Sequence, residues 1–195
     1  MKIMEDKPKN KPQILEKIIN KTEELGFNMP SDVWVGSMLK ALVSAKRGGQ
    51  FLELGTGTGL SLAWILEGID AESEVISIDY DPQLIDLVKG FFHDESRVKL
   101  MAQDGGEWIL ANQDKRFDLI FADAWPGKYS LLDETLALLK PGGIYLIDDM
   151  NPQANWPEGH AEKAVNLLAH LEDRRDLEIV KMNWSTGLVL GVKKD

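Results

Sequence analysis

The sequence contains no cysteine, which excludes disulfide bonds, thiolate catalysis and zinc sites built on sulfur. Basic residues are scarce relative to acidic ones, because 22 Lys and Arg against 32 Asp and Glu give a formal net charge of −10. Proteins that grip nucleic acid or an anionic membrane need a basic face, so both partners are disfavoured. The sequence also has no apolar run that approaches the ~20 residues of a membrane-spanning helix. These absences favour a protein that works away from nucleic acid and membranes.

The first residues, MKIMEDKPKNKPQ, are charged and interrupted by proline, and they lack the apolar core of a secretory signal. We expect residues 1–12 to form a mobile arm and the protein to be cytoplasmic. The hydrophobic content of 44% is enough to build a core. A length of 195 residues fits one domain, since domains average roughly 150 residues. We therefore predict a single domain over residues 1–195.

Two helices are predicted in the N-terminal part of the chain. Apolar residues recur at helical spacing from Ile14 to Leu25, and Gly26 can end that helix. A second helix can start after Pro30, with Ser31 as its N-cap.

From residue 50 onward, strands alternate with helices. Strands are predicted at 51–54, 74–79, 98–103, 117–123, 144–148, 177–182 and 188–192, and helices at 60–69, 81–93, 107–112, 129–139 and 158–171. This alternation is typical of an α/β, Rossmann-like, doubly wound sheet with helices on both faces. The short turn between the last two strands predicts an antiparallel hairpin, because a parallel pair needs a long crossover. The sheet should thus be seven-stranded and mostly parallel.

Ligands of such sheets bind outside the carboxyl ends of the strands, where this chain carries a glycine-rich turn. The turn runs from Gly55 to Gly59, directly after the first strand. A dinucleotide fingerprint would need a further glycine where Leu60 stands, and no phosphate-loop pattern is present. NAD, FAD and phosphoryl transfer are therefore disfavoured. A tight turn without any ligand is the alternative interpretation.

Five successive strands of the predicted sheet bring carboxylates to one edge. They are Glu53, Asp79, Asp104, Asp123 and the pair Asp148 and Asp149. Such an acidic rim disfavours a phosphate-rich ligand and suits one with hydroxyls, an amine and a positive centre. Asp79 is placed to accept hydrogen bonds from two ribose hydroxyls, and Asp104 from the exocyclic amine of adenine.

Five segments in this order resemble a class I S-adenosylmethionine-dependent methyltransferase: LELGTGTGLS, VISIDYDP, MAQDG, FDLIFADAWPGKY and LLKPGGIYLIDDM. More narrowly, they resemble the O-methyltransferase family that includes the catechol and caffeoyl-CoA enzymes. The similarity extends over about residues 29–192. It implies a homodimer and an acceptor site formed in part by the helices of residues 13–46.

The resemblance also implies which residues bind S-adenosylmethionine. The loop at Gly55–Gly57 would pass the methionine moiety, with Glu53 near its amino group and Ser61 at its carboxylate. Asp79 would hold the ribose and Asp104 the adenine edge. The full implied set is Glu53, Gly55, Thr56, Gly57, Ser61, Asp79, Tyr80, Asp104, Gly105 and Asp123.

A divalent metal, Mg²⁺ or Ca²⁺, is implied at Asp123, Asp148 and Asp149, which are oxygen ligands of the kind these ions favour. The chain departs from the family in two places. Asp149 stands where the family usually has asparagine, and Pro126 stands where the family has its catalytic lysine. Lys128, two positions later, is the candidate general base, and Asp123 is the second candidate catalytic residue.

The leading hypothesis is methyl transfer from the cofactor's sulfonium to an oxygen of a small acceptor, such as an aromatic hydroxyl, with help from the metal. A second hypothesis keeps the cofactor without the metal and allows a different small acceptor, such as an amine. A third is a catalytically idle S-adenosylmethionine-binding protein, which the missing family lysine would explain.

Aromatic residues in the predicted loops could stack against an acceptor, whereas those in helices are expected in the core. The loop tryptophans are Trp125, Trp156 and Trp184, and the helical ones are Trp34 and Trp64. The histidines lack metal-ligand spacing and are expected in solvated or capping positions; they are His93, His160 and His170.

Overall fold

The computed structural model describes residues 8–195, which contain seven strands and seven helices; two helices come first, strands and helices then alternate, and two strands come last. The elements are α1 (Leu15–Glu24), α2 (Val33–Ser44), β1 (Gln50–Leu54), α3 (Leu60–Gly68), β2 (Glu74–Asp79), α4 (Pro82–Phe91), β3 (Val98–Ala102), α5 (Gly105–Ala111), β4 (Phe117–Ala122), α6 (Leu132–Ala137), β5 (Leu139–Ile147), α7 (His160–Asp173), β6 (Leu177–Met182) and β7 (Leu188–Lys193). Most of the predicted mobile arm, residues 1–7, lies outside the described residues.

All seven strands form one sheet in the order β3-β2-β1-β4-β5-β7-β6. The first five strands of that order are parallel, while β7 is antiparallel to both β5 and β6. The predicted wound sheet with a C-terminal antiparallel hairpin is therefore confirmed. Its strand order reverses between β1 and β4, which is where such sheets form a ligand crevice.

Both faces of the sheet are buried, as an all-parallel centre requires. Leu52 and Leu54 of β1 face one core, which also contains Trp108 and Tyr145. Phe51, one position out of phase, faces the second core between the sheet and helices α2 and α3. This period of two follows from the alternating directions of side chains along a strand. The central strands are thus fixed from both sides, and their carboxyl ends form a rigid edge.

Three predicted boundaries were wrong, either by more than the fraying of an element end or in the identity of the cap. The N-cap of α2 is Asp32, whose Oδ1 accepts hydrogen bonds from two backbone amides at 2.8 Å, rather than Ser31. The helix predicted at 129–139 is shortened to α6, because three backbone amides of residues 128–130 bond to the carbonyl of Trp125 in a tight turn. Strand β5 then begins at Leu139, earlier than predicted, and includes the Pro-Gly-Gly sequence. Across residues 8–195, the helices are all too short or too polar to cross a membrane.

Candidate active site

A cavity of about 390 Å³ lies outside the carboxyl ends of the central strands. Its walls come from the loops that follow β1, β2, β3 and β4, and from the segment between α1 and α2. The lining includes nine of the predicted cofactor residues: Gly55, Thr56, Gly57, Ser61, Asp79, Tyr80, Asp104, Gly105 and Asp123. Residues that lie far apart in sequence therefore meet at one site, as the strand-end argument predicts.

The glycine-rich loop has a conformation that other residues would strain. Gly55 has φ +99°, and a Cβ there would lie 2.6 Å from the carbonyl oxygen of Asp123. The amides of Gly55 and Thr56 both donate to the carbonyl of Ile78, at 2.9 and 3.2 Å. These hydrogen bonds hold the loop against β2, and the backbone of its glycines forms part of the cavity wall.

Asp79 connects this loop to the end of β2. It is 9% exposed, and its Oδ2 accepts a hydrogen bond from the amide of Gly57 at 2.9 Å, while its Oδ1 accepts one from the amide of Asp81 at 3.0 Å. Each carboxylate oxygen keeps lone-pair capacity after these bonds. Asp79 is therefore held in a fixed orientation while it still lines the cavity.

The next part of the wall combines an aromatic ring with a second carboxylate. Tyr80 is 80% exposed, and its side chain stands at the cavity edge. Asp104 caps α5 by accepting a hydrogen bond from the amide of Glu107 at 2.9 Å, and it lines the cavity beside Gly105. A flat heteroaromatic group with an amine would find both a stacking partner and an acceptor here.

Glu53 lies behind this wall, fully buried, and is not among the cavity-lining residues. Its two oxygens accept hydrogen bonds from the hydroxyls of Ser61 at 2.6 Å and Ser77 at 2.5 Å. Ser77 also bonds to the hydroxyl of Thr56 at 2.7 Å. Burial raises the pKa of Glu53 to about 7, although both serine bonds oppose the shift. Glu53 thus stabilises the glycine-rich loop through Ser61 and Ser77, from behind the cavity wall. Its predicted contact with the amino group of the cofactor stays a prediction.

Sequence reasoning missed Ser77 as part of this network. A serine in the middle of the apolar strand β2 was the available signal, since a polar side chain buried in a strand needs a partner.

A second group of charged residues lies next to the cavity, at the ends of β4 and β5. Asp123, Asp148 and Asp149 meet there, together with Lys128. Burial and the neighbouring charge of Asp148 raise the pKa of Asp123 well above its usual range. The Oδ2 of Asp123 accepts a hydrogen bond from the hydroxyl of Ser31 at 3.0 Å. We call these four charged residues, Asp123, Lys128, Asp148 and Asp149, the acidic centre.

The carboxylates of the acidic centre do not converge as metal ligands. Across residues 8–195, no three histidine, aspartate or glutamate side chains are grouped so that they could hold a metal ion. The Oδ1 of Asp148 is occupied by the amide of Asp149 at 2.7 Å and by the hydroxyl of Thr186. The three side chains predicted as metal ligands are thus not grouped around one point in this geometry, and the metal itself stays a prediction.

An aromatic cluster borders the acidic centre. The ring of His160 lies 4.3 Å from Trp156, 5.0 Å from Tyr129 and 5.8 Å from Trp125, measured between centroids. The hydroxyl of Tyr129 is 3.0 Å from His160 Nε2. The expectation of a solvated or capping role for His160 was wrong, because it is only 9% exposed. Among the loop tryptophans, Trp125 lines the cavity, whereas Trp184 packs against the core beside α2 and α3.

Comparison with known proteins identifies the family to which this sequence is related. Residues 52–150, just over half of the chain, match a family described as a methyltransferase domain. A protein of Mycobacterium avium named "Putative O-methyltransferase" is 31% identical over 118 residues. That alignment spans 58% of this chain and 53% of the mycobacterial protein, so the matched region is about half the length of that relative.

Solved structures share the whole fold at lower identity. An O-methyltransferase from Bacillus cereus in complex with S-adenosylhomocysteine (SAH) superposes with a TM-score of 0.83 at 17% identity, covering 96% of this chain and 92% of the other. The O-methyltransferase TomG from Streptomyces achromogenes, in complex with S-adenosylmethionine, gives 0.81 at 16% identity, covering 94% and 90%. At these identities the likeness establishes the fold, which agrees with the sheet order seen here.

Proposed function

The chain belongs to the methyltransferase domain family, and we propose that it is an S-adenosylmethionine-dependent methyltransferase that acts on an oxygen of a small acceptor. The observation that carries this proposal is the cavity at the carboxyl edge of the sheet. There, a rigid glycine loop, a fixed carboxylate at Asp79 and a second one at Asp104 surround about 390 Å³. The cavity offers acceptors for hydroxyls and an amine, and none of the residues 8–195 that line it is basic.

Each part of the wall suits one part of the cofactor. Asp79 is proposed to accept hydrogen bonds from the ribose hydroxyls, because its orientation is already set by Gly57. Tyr80 and Asp104 are proposed to hold the adenine, one by stacking and one by accepting from its amine. The backbone at Gly55 and Gly57 leaves room for the methionine end.

When bound, the cofactor supplies an electrophilic methyl group. The protein's contribution is to position the acceptor oxygen in line with that methyl, at about 3–3.5 Å. Met29, Ser31 and Trp125 line the cavity next to Asp123, so we propose that the acceptor enters between the segment preceding α2 and the loop after β4. The helices of residues 13–46 would then form one side of the acceptor site.

Cofactor binding and methyl transfer can be tested separately. Calorimetry should show that the wild-type chain binds SAH. Asp79→Asn should lose about tenfold or more in affinity, because it removes a charge-assisted acceptor. Asp86→Asn, an exposed carboxylate on α4, is the matched control and should bind like the wild type. Equal affinities for all three proteins would contradict the assigned role of Asp79.

Transfer is tested with labelled S-adenosylmethionine and a panel of phenols, catechols, aliphatic alcohols and amines. Label in an oxygen acceptor supports the proposal. Label in amines alone would favour the second acceptor class, and tight cofactor binding without any transfer would favour an idle binding protein.

A further inference from the structure

Lys128 is a basic side chain buried in the acidic centre. It is 4% exposed, and its Nζ donates a hydrogen bond to the backbone carbonyl of Asp148 at 2.5 Å. The charges of Asp123, Asp149 and Asp148 all act on it and oppose the fall in pKa that its burial causes. A lysine is almost never this deeply buried without a partner. Its hydrogen bond goes to the backbone carbonyl of Asp148, and the three carboxylates act on it through their charges.

The turn after β4 directs Lys128 inward. Gly127, immediately before it, has φ +87°, and a Cβ there would lie 2.4 Å from a methyl carbon of Leu54. The amide of Gly127 donates to the carbonyl of Ser130 at 2.8 Å, and its carbonyl accepts from the buried hydroxyl of Tyr145. The backbone on the N-terminal side of Lys128 is therefore fixed by contacts that only glycine allows.

Two of the three carboxylates each use one oxygen to accept from donors within the protein. Asp123 accepts from Ser31, and Asp148 accepts from the Asp149 amide and from Thr186. A divalent metal would need several of these oxygens turned toward one point, free of the ammonium group. The described residues instead place the Lys128 amino group beside them, on the backbone carbonyl of Asp148.

From this arrangement we infer that the Lys128 ammonium is the permanent cation of the acidic centre, in place of a divalent metal. The ammonium then offsets one of the three carboxylate charges without an added ion. One consequence rests on the proposed function: an acceptor need not present two adjacent oxygens for chelation, so a single isolated hydroxyl is a sufficient acceptor.

The first test measures metal binding directly and does not depend on methyl transfer. Mn²⁺ is titrated into the full chain with and without SAH, and bound Mn²⁺ is followed by electron paramagnetic resonance. We expect no site with a dissociation constant below about 1 mM, the weak end for protein sites of hard divalent cations. A tighter site that disappears in Asp148→Asn would overturn the inference.

The second test uses the acceptor that the panel identifies. Turnover should be unchanged by a chelator, and a monohydroxyl acceptor should be methylated without added metal. Lys128→Met should lower kcat by about tenfold or more while SAH affinity is retained, because the acidic centre loses its cation. Lys128→Arg, which keeps the charge, should retain more activity than Lys128→Met, and Lys89→Met on the surface of α4 should match the wild type.

Unchanged kcat in a folded Lys128→Met protein would contradict the role assigned to Lys128. Loss of turnover on chelation, with recovery on adding Mg²⁺, would contradict it equally. If the wild-type chain transfers no methyl group to any acceptor, the proposed function fails, while the Mn²⁺ titration still decides the question of the cation.

Discussion

Glu53 is ionisable but has no contact with water, and its protonation must therefore be linked to folding. It is the next-to-last residue of β1, and both of its carboxylate oxygens accept hydrogen bonds from serine hydroxyls. Burial raises its pKa from 4.5 to about 7 in the folded protein. Between these two values the folded chain keeps a proton that the unfolded chain has released. The free energy of unfolding should therefore fall as pH rises through this range, and then level off.

We predict that Glu53→Gln removes this pH dependence. From about pH 4.5 to about pH 7.5, the wild type should lose on the order of 3 kcal/mol of unfolding free energy relative to the variant. Urea denaturation at a series of pH values measures it. Glu23→Gln, an exposed position on α1, should follow the wild-type curve. If the free energy of unfolding varied with pH in parallel for Glu53→Gln and the wild type, burial would not raise the pKa of the Glu53 carboxyl.

Site residues differ in how visible they were in the sequence. Asp79 and Asp104 could be predicted because each lies at the carboxyl end of a strand, and strand ends converge by topology alone. Ser31 could not, since its partner Asp123 lies 92 positions away and its identity also fits an N-cap. The contact of Lys128 could not be predicted either, because the tight turn at Gly127 decides which way that side chain faces.

Elements with a strong period were predicted most accurately. Strands β2 and β6 have the predicted bounds, since polar or turn residues stand at both ends. The region from residue 129 to residue 147 was the least accurate. There, the loop turn delays α6, and pairing with β4 extends β5 back through the Pro-Gly-Gly sequence, with a register shift. Long-range pairing overrode the local signal, as it often does for strands.

Helices α2 and α3 pack so closely that one position between them has no room for a methyl group. A Cβ on Gly36 would lie 2.2 Å from Cδ1 of Trp64, whose side chain is fully buried. We predict that Gly36→Ala lowers the free energy of unfolding by about 1–3 kcal/mol, through overpacking. Urea denaturation monitored by circular dichroism gives the value.

Gly90 on α4 provides the matched control for this substitution. It is also helical, but nothing lies within 4 Å of the position a Cβ would take. Gly90→Ala should therefore raise stability by up to about 1 kcal/mol, because alanine has the higher helix propensity. If Gly90→Ala also lowered the free energy of unfolding, the loss of stability in Gly36→Ala could not be assigned to overpacking against Trp64.

At the scale of the whole molecule, the segment between α1 and α2 ties distant loops together across the cavity. Ser31 bonds to Asp123 after β4, Asp32 accepts from Ser185 in the β6–β7 turn, and the carbonyl of Asn28 accepts from Asn155 before α7. These partners are separated by 92 to 153 positions in the chain. No local pattern could predict such contacts, because they exist only once the sheet has placed all the loops at one edge.

Because the cavity walls come from loops throughout the chain, a ligand that fills it should stabilise the molecule as a unit. A ligand that binds only the native state adds about 2.7 kcal/mol at a concentration 100 times its dissociation constant. For a chain of this size, that corresponds to a rise in Tm of roughly 5–10 °C. We predict this rise for SAH and a clearly smaller one in Asp79→Asn at the same concentration, measured by differential scanning calorimetry. Equal rises in both proteins would place the ligand away from Asp79, and the absence of any rise in the wild type would remove the basis for assigning the cavity to the cofactor.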